Sequence, residues 1–298
     1  MHRRSFQLHL RNCALSLGER TLVMGILNVT PDSFSERGLY FDRKAAVARG
    51  LEIEREGADI LDIGGESTRP GAVPIPEEEE LDRTIPVIEA LRKRGLRIPI
   101  SIDTYKARVA ERALAAGAEM VNDVSGLRYD ASLAQVVQRH RAGIVLMHLR
   151  GTPRTMQLLP PVQRIVSAVR RGLAASLRRA WQAGIRKRQI VLDPGIGFGK
   201  GPAENFEILQ SLSRFASLGY PILVGPSRKS FIRAATVSER SSIRAATVRE
   251  RLVFPDELLF GTAATVTAAI LNGAHIVRVH DVRQMLPAVR VADQLLSC

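Results

Sequence analysis

Eight short apolar runs along the chain each lead into a polar or ionisable side chain. These side chains are Asn28, Glu66, Asp103, Asn122, His148, Asp193, Lys229 and His280. The carboxylates and amides among them supply the acceptors and donors that suit the N–H edge of a flat heterocycle. These residue types therefore suggest that one part of the ligand is a planar ring.

A second set of side chains is cationic or can become so. It comprises Arg69, Lys229, Arg278 and His280. Arginine and lysine bind carboxylates and phosphates through charge-assisted hydrogen bonds. We therefore expect the other part of the ligand to be anionic.

Each of these residues, taken alone, also has an ordinary structural explanation. Asn28 follows the apolar run Met24–Leu27, so it could simply end a strand, and His148 after "IVLM" could be a buried core histidine. Active sites of parallel barrels lie at the rim formed by the carboxyl ends of the strands. Eight polar strand ends on one such rim are harder to explain as turns, so we expect Asn28 to point into a shared mouth.

The elements that must position these residues alternate between short strands and helices. The candidate strands are 21–27, 59–64, 98–103, 119–124, 143–148, 189–193, 221–225 and 275–280. They are short and apolar, as expected for a sheet covered on both faces. This alternation predicts a single closed α/β domain over residues 1–298, a TIM-type (β/α)8 barrel, with a doubly wound open sheet as the alternative.

A β-hairpin is predicted ahead of the barrel, over residues 5–18. The stretches "SFQLHL" and "CALSLG" alternate with period two on either side of Arg11 and Asn12, which is typical of two paired strands and a turn.

Several helix boundaries can also be predicted. The run Glu77–Glu80 follows Pro76, which indicates the first turn of a helix, where acids complement the dipole, more than a metal site. Predicted helices are followed by glycines that can act as left-handed C-caps, namely Gly57, Gly117 and Gly273.

The basic composition raises the question of a nucleic-acid partner. The net charge is +13, but aromatic residues make up only 5% of the chain and leave little material for base stacking. The densest basic stretch, 164–188, has an apolar residue at every fourth position: Ile165, Val169, Leu173, Leu177 and Trp181. This pattern indicates an amphipathic helix with a solvated basic face, and an anion or nucleic-acid patch is the less favoured alternative. We expect no nucleic-acid partner.

The cysteines and the apolar runs indicate the cellular compartment in which we expect the protein. Cys13 and Cys298 have no metal-binding or redox motif around them, which is simplest in a reducing cytoplasm. The start "MHRRSFQLHL" lacks the apolar segment of an export signal, and no apolar run approaches the ~18 residues of a membrane span. We therefore expect a cytoplasmic protein with no membrane partner.

One segment interrupts the strand–helix rhythm. Residues 230–240, "SFIRAATVSER", and 241–251, "SSIRAATVRER", match at nine of eleven positions. A single tandem copy is a duplication within the barrel and does not indicate a repeat protein. It either lengthens a helix into solvent or shifts Ser230 and thereby alters inhibitor binding.

Several segments together resemble the bacterial dihydropteroate synthase family. They are "MGILNVTPDSFS" (24–35), "ADILDIGGESTRPGA" (58–72), "PISIDTYK" (99–106), "VNDVSG" (121–126), "MHLRGTPRTMQ" (147–157), "VLDPGIGFGK" (191–200), "GPSRKSF" (225–231) and "IVRVHDV" (276–282). The resemblance implies a homodimeric TIM barrel. It implies condensation of 6-hydroxymethyl-7,8-dihydropterin diphosphate with p-aminobenzoate in folate biosynthesis, and sulfonamides that compete with p-aminobenzoate.

The resemblance also implies roles for particular positions. The pterin would be held by Asp103, Asn122, Met147, Asp193, Gly225 and Lys229. The diphosphate would be held by Asn28, Arg278 and His280, with Mg²⁺ near Asn28. The p-aminobenzoate pocket would contain Thr68, Arg69, Pro70, Phe198 and Ser230. The catalytic set implied in this way is Asn28, Asp103, Lys229, Arg278 and His280.

The implied reaction needs no protein nucleophile, which fits the absence of a Ser-His-Asp order. Diphosphate would leave first, and the aniline nitrogen would then attack the pterin methylene. Loops 28–40 and 65–76 would close over the site and exclude water. In the first of these loops Ser35-Glu36-Arg37-Gly38 replaces the family's usual Ser-Asp-Gly-Gly, which leaves the details of closure open.

Two other functions remain as alternatives. A pterin-binding methyltransferase of the methyltetrahydrofolate type should lack "ESTRPGA" and "SRKS", both of which are present. A non-catalytic RNA- or anion-binding barrel would not need the complete polar rim. A sulfonamide-resistant form of the synthase is a variant of the main hypothesis.

Overall fold

A computed structural model describes residues 3–30, 42–232 and 255–298 of the chain. Two expectations fall outside this part: the first closing loop, with Ser35–Gly38, and nearly all of the duplicated segment. Of the duplication, only Ser230 to Ile232 are described.

Strands and helices alternate after an initial strand pair. The strands are β1 (Phe6–His9), β2 (Ala14–Leu17), β3 (Leu22–Asn28), β4 (Ile60–Gly64), β5 (Ile100–Asp103), β6 (Met120–Asp123), β7 (Gly143–Met147), β8 (Ile190–Asp193), β9 (Leu223–Val224) and β10 (Ile276–Val279). The helices are α1 (Arg43–Arg55), α2 (Glu77–Lys93), α3 (Ala107–Ala115), α4 (Leu133–His140), α5 (Ile165–Gln182), α6 (Pro202–Gln210), α7 (Pro255–Leu271) and α8 (Val282–Ser297). Short 3-10 turns occupy Met156–Leu158, Lys187–Gln189 and Leu212–Leu218.

Eight parallel strands form the barrel, in the order β8-β7-β6-β5-β4-β3-β10-β9. The two outer strands meet at a seam, which consists of one parallel bridge between Leu192 and Ile222. There the Leu192 N–H donates to the carbonyl of Pro221 at 2.9 Å. The closed barrel is therefore confirmed, the open sheet is wrong, and each predicted strand lies within two residues of its observed bounds.

The hairpin covers the amino-terminal end of the barrel. It pairs antiparallel, with Phe6 opposite Leu17, as predicted. Leu8 and Leu17 are 0% and 1% exposed. They pack, with Leu10, against interior residues near the start of the barrel strands: Met24, Ile60, Met120, Val145, Val191, Leu223 and Ile276. With this end filled by apolar side chains, the opposite end is left for the polar residues.

The helix boundaries follow the predicted chemistry. Gly57, Gly117 and Gly273 have φ of +101°, +116° and +105°, so they end helices in the left-handed conformation that glycine tolerates. Helix α2 begins at Glu77, directly after Pro76. All four glutamates lie in its first turn, as predicted. Glu80 is in addition 1% exposed and forms a buried ion pair with Lys106.

The basic helix was predicted with two errors. Ile165, Val169, Leu173 and Leu177 form the buried face of α5. Trp181 is 52% exposed, because it lies at the helix end, where its indole N–H donates to the Tyr220 hydroxyl at 2.9 Å. The helix ends at Gln182 and does not extend to 188.

Two further observations concern the described part of the chain. No helix within it is both long and apolar enough to cross a membrane. Cys13 and Cys298 are free and exposed.

Removal of a buried hairpin side chain should destabilise the whole barrel. We expect Leu8→Ala to lower the free energy of unfolding by about 2–5 kcal/mol, because it leaves a cavity in the apolar layer. Chemical denaturation measures this loss. Gln7→Ala, on the exposed face of the same strand, serves as the control and should change stability by less than about 0.5 kcal/mol. Equal losses in the two variants would contradict the role of the hairpin.

Candidate active site

The carboxyl ends of the strands bring the predicted residues to one rim. They are Asn28, Asp103, Asn122, Asp193 and Arg278, at or near the ends of β3, β5, β6, β8 and β10. In the sheet, Asn28 lies opposite Gly64, Gly64 opposite Asp103, and Asp103 opposite Asn122. A Cβ at Gly64 would lie 3.8 Å from both Asn28 Oδ1 and Asp103 Oδ2. Because glycine has no side chain, Gly64 leaves room for the side chains of Asn28 and Asp103 to face the same space.

Arg278 forms the centre of this group. Its Nε donates to Asp62 Oδ2 at 2.6 Å, and one of its terminal nitrogens donates to Asp103 Oδ2 at 2.7 Å. Gly225 lies beside it, since a Cβ there would be 3.7 Å from Arg278 Cβ. A guanidinium held by two carboxylates in this way has a defined direction and stays charged.

Sequence reasoning did not select Asp62. This residue is 0% exposed, and its Oδ2 also accepts from Asn122 Nδ2 at 3.0 Å, so it orients two rim residues at once. The available signal was an acid inside the buried run "ILDIG", because a carboxylate is rarely buried without a partner.

The two carboxylates of the rim have pKa values close to neutrality. Burial raises the pKa of Asp103 to about 7, against the opposing effect of Arg278 and with a further increase from Asp62. Burial likewise raises the pKa of Asp193 to about 6, although its Oδ1 accepts from the Gly195 N–H at 2.7 Å. Among the residues that the structure describes, Asp62 Oδ1 and Asp103 Oδ1 are buried and have no hydrogen-bond partner. The unpaired oxygen of Asp103 is therefore available to a ligand that brings an N–H group.

Lys229 lies against an aromatic ring. Its Nζ is 3.9 Å from the centroid of the Phe198 ring, a cation–π distance. Burial, with Arg278 as the next contributor, lowers the pKa of Lys229 to about 8. Phe198 belongs to an apolar patch made of Val124, Met147, Leu149, Met156 and Phe198. Met147 and Phe198 therefore lie on one apolar surface, with a lysine at its edge.

His280 lies between Ser227 and Asn28. Its Nδ1 is 3.0 Å from Ser227 Oγ, its backbone N–H donates to the same hydroxyl at 3.2 Å, and its Nε2 lies 3.5 Å from Asn28 Nδ2. Burial, with Arg278 as the next contributor, lowers its pKa to about 3. His280 thus offers hydrogen bonding and not a charge. Sequence reasoning had grouped it with the cations.

The loop after β8 is built around a residue to which no role was predicted. Lys200 Nζ donates to the carbonyls of His148, Gly195 and Phe198 at 2.9, 2.7 and 2.9 Å. Gly195 has φ of +70°, and a Cβ there would lie 2.0 Å from His148 O. Lys200 therefore gathers three carbonyls beneath Phe198, and the glycine permits the close approach of the two loops.

The residues assigned to the second ligand half lie on a more exposed surface. Arg69, Pro70 and Ser230 are exposed, and Thr68 is half-buried. The positive charge of Arg69 contributes to the lowered pKa of Lys229, so the loop tip lies near the rim. These four residues are therefore more exposed than Asp103, Asn122 and Asp193 at the strand ends.

Two of the eight rim residues are engaged elsewhere. Glu66 is buried and bonds to Tyr105 and Lys106. His148 packs against the helix α5, where a Cβ at Gly172 would lie 2.3 Å from the imidazole Cδ2, and burial lowers its pKa to about 2. The core explanation of His148 is therefore the better one, and neither residue belongs to the ligand-facing set.

The protein itself offers few metal ligands here. Across residues 3–30, 42–232 and 255–298, no group of three His, Cys, Asp or Glu side chains is arranged to hold a metal ion. A metal held mainly by protein carboxylates is therefore not built into the described site. One amide oxygen at Asn28 suits a Mg²⁺ ion that takes its other ligands from water and phosphate.

Comparison with known proteins gives a consistent result over nearly the whole chain. The family described as pterin binding enzyme matches residues 24–280. The dihydropteroate synthase of Synechocystis sp. is 46% identical over 278 residues, which span 93% of this chain and 91% of that protein.

Two solved structures share this fold. The Xanthomonas albilineans dihydropteroate synthase with 4-aminobenzoic acid superposes with a TM-score of 0.85 at 41% identity, over 99% of this chain and 100% of that one. The Yersinia pestis dihydropteroate synthase with a sulfonamide drug complex gives a TM-score of 0.86 at 36% identity, over 98% and 100% of the chains.

The shared guanidinium should couple the two buried carboxylates. We expect Asp62→Asn to lower the pKa of Asp103 from about 7, because the negative charge of Asp62 raises that pKa. Carbon NMR titration of the aspartate carboxyls measures the change. Asp59→Asn serves as the control, since Asp59 pairs with Arg20 at the opposite end of β4 and should leave Asp103 unchanged. An unchanged pKa of Asp103 in the Asp62→Asn variant would show that the two carboxylates are not coupled.

Proposed function

The chain belongs to the family of pterin-binding enzymes and acts as a dihydropteroate synthase, and we propose that the centre around Arg278 is its pterin site. The reaction joins 6-hydroxymethyl-7,8-dihydropterin diphosphate to p-aminobenzoate and gives 7,8-dihydropteroate and diphosphate. The observation that carries the site assignment is the charged triad Asp62–Arg278–Asp103 on the floor of the mouth.

The pterin ring fits the floor of the mouth by its hydrogen-bonding pattern. Asp193 and Asn122 present an acceptor and an amide to an N–H edge. Asp103 has a buried oxygen without a partner, and a ring N–H would satisfy it. Met147 and Phe198 provide the apolar surface on which a flat ring can pack. Lys229 and Gly225 complete this half of the site.

We assign the diphosphate to Asn28, Arg278 and His280. The guanidinium supplies charge and the neutral imidazole supplies a hydrogen bond, as its lowered pKa requires. Asn28 is the residue we propose as the protein ligand of Mg²⁺. When bound, that ion would neutralise charge on the leaving diphosphate.

The p-aminobenzoate half is assigned to the loop after β4. Arg69 can bind its carboxylate, while Thr68, Pro70 and Ser230 form the border of the pocket beside Phe198. Positive charge at Arg69 and Lys229 makes this side of the mouth attractive to an anionic benzoate. Sulfonamides, which present a similar aromatic amine, would occupy the same place.

The chemistry then follows from position and charge. Arg278 and His280 hold the diphosphate as its negative charge develops. The pterin methylene becomes electron-poor as the C–O bond breaks, and the aniline nitrogen attacks it to form the new C–N bond and loses a proton. The charged triad fixes the pterin, so no covalent intermediate with a protein side chain is needed.

The alternatives are less well supported. Both segments expected to be absent from a methyltransferase are present, and the relatives described above are synthases. We also propose that the protein is a homodimer, an assignment that rests on its resemblance to the family.

The function can be tested by product formation. The purified protein with Mg²⁺ and the pterin diphosphate should release diphosphate and form dihydropteroate only when p-aminobenzoate is added. Chromatography of the pterins and a phosphate assay measure the two products, and a sulfonamide titration should reduce both together. Saturable pterin binding without product would contradict the synthase assignment and leave only a pterin-binding role.

The activity should depend on pH through Lys229. Because burial lowers its pKa to about 8, its proton is lost as pH rises through 8, and kcat/KM for the pterin diphosphate should fall there. Lys229→Arg should keep the charge at higher pH and move this alkaline limb upward, at some cost in the maximum rate. A limb that remains near pH 8 in the arginine variant would assign it to another group.

A further inference from the structure

A buried cluster joins the two ends of the loop that carries Thr68, Arg69 and Pro70. Lys106 Nζ donates to Glu66 Oε2, to Glu80 Oε2 and to the carbonyl of Ile75, each at 2.7 Å. The Ile75 N–H donates to Glu66 Oε2 at 3.1 Å, and the Tyr105 hydroxyl donates to Glu66 Oε1 at 2.8 Å. We call this group, Glu66, Ile75, Glu80, Tyr105 and Lys106, the loop clamp.

The ionisable side chains of the loop clamp at Glu66, Glu80 and Lys106 are buried from solvent. Glu66 and Lys106 are each 8% exposed and Glu80 is 1% exposed. Burial alone would lower the pKa of Lys106, but its bonds to Glu66 and Glu80 outweigh that effect and raise it. The ammonium therefore stays charged between two carboxylates.

Stability alone is a weak reason for such a cluster. Buried ion pairs are often no more stable than apolar residues of similar volume, since desolvation offsets the attraction. What the cluster does provide is a fixed distance between Glu66 at one end of the loop and Ile75 at the other.

The segment between these ends is exposed and loosely held. Arg69, Pro70 and Gly71 are exposed. The Gly71 N–H donates to the carbonyl of Pro153 at 3.0 Å, and the Ala72 N–H donates to the carbonyl of Arg69 at 3.0 Å. The position of the loop tip therefore depends on where its two ends are fixed, because the tip has few contacts of its own.

We propose that Lys106 and Glu66 are positioning residues for the p-aminobenzoate half of the site. They hold the ends of the loop so that Thr68, Arg69 and Pro70 reach the mouth. The proposal rests on the function given above. Within the described part of the chain, no hydrogen bond or ion pair joins the pterin half to the clamp. Asp103, Asn122 and Asp193 lie on strands, and Asp62 and Arg278 hold Asn122 and Asp103 in place.

The clamp can be tested with two variants of the full-length protein. In Glu66→Gln and Lys106→Met, we expect KM for p-aminobenzoate and the inhibition constant of a sulfonamide to rise about 10- to 100-fold, as misplacement of a binding group does. KM for the pterin diphosphate should change by less than about twofold, because weaker binding at the p-aminobenzoate subsite leaves the contacts of the pterin subsite intact. Hydrogen exchange at the Gly71 and Ile75 amides should accelerate.

A matched control separates positioning from loss of stability. Glu119→Gln breaks a partly buried ion pair with Arg92, whose charged atoms are 2.7 Å apart. Glu119 directly precedes β6, at the amino-terminal end of the barrel that the hairpin covers. It should lower the melting temperature without changing either KM or the exchange of the loop amides. If both KM values rise together in the clamp variants, or if Glu119→Gln produces the same split, the positioning role is wrong.

The two proposals can fail separately. A wild-type protein that makes no dihydropteroate overturns the proposed function, whatever the variants do. In that case hydrogen exchange still decides the structural part, because unchanged exchange at Gly71 and Ile75 in Glu66→Gln and Lys106→Met overturns the clamp.

Discussion

The arrangement of the mouth depends on keeping one guanidinium charged inside the barrel. Arg278 extends from β10 to two carboxylates that belong to β4 and β5. Loss of one partner would leave a buried charge, which costs about 3–5 kcal/mol. This requirement accounts for the position of Asp62, whose Oδ2 also accepts from Asn122. The raised pKa of Asp103 has a different cause, since burial raises it and Arg278 opposes that effect. The proposed pterin site is thus held together by interactions within the protein itself.

The two halves of the site differ in how they are built. Of the residues proposed to face the ring, Asp103 and Asn122 lie on strands paired on both sides, and the register places them next to each other. The benzoate-facing residues lie on an exposed loop that is held at its ends by the loop clamp. A rigid floor suits a substrate that is recognised by many hydrogen bonds.

The sequence predicted the barrel and most of the rim, because strand–helix alternation and the residue after each strand are local signals. It did not predict which polar residues face inward. Glu66 and His148 follow strands just as Asn28 does, yet they bond to Lys106 and pack against α5. Asp62 and Lys200 were missed for the complementary reason, since their importance comes from partners distant in sequence. The neutral state of His280 depends on burial, which no residue pattern gives.

The seam between β8 and β9 makes the barrel wall uneven. Its other neighbouring strands share continuous ladders, whereas these two share one bridge, and β9 has only two residues. The chain that follows β9 carries Lys229 and then the duplicated segment. An insertion at this point meets the part of the wall with the fewest backbone bonds to disturb. The same architecture that confines chemistry to one end of the barrel thus leaves a place beside it where chain length can change over evolution with little cost to the remaining strands.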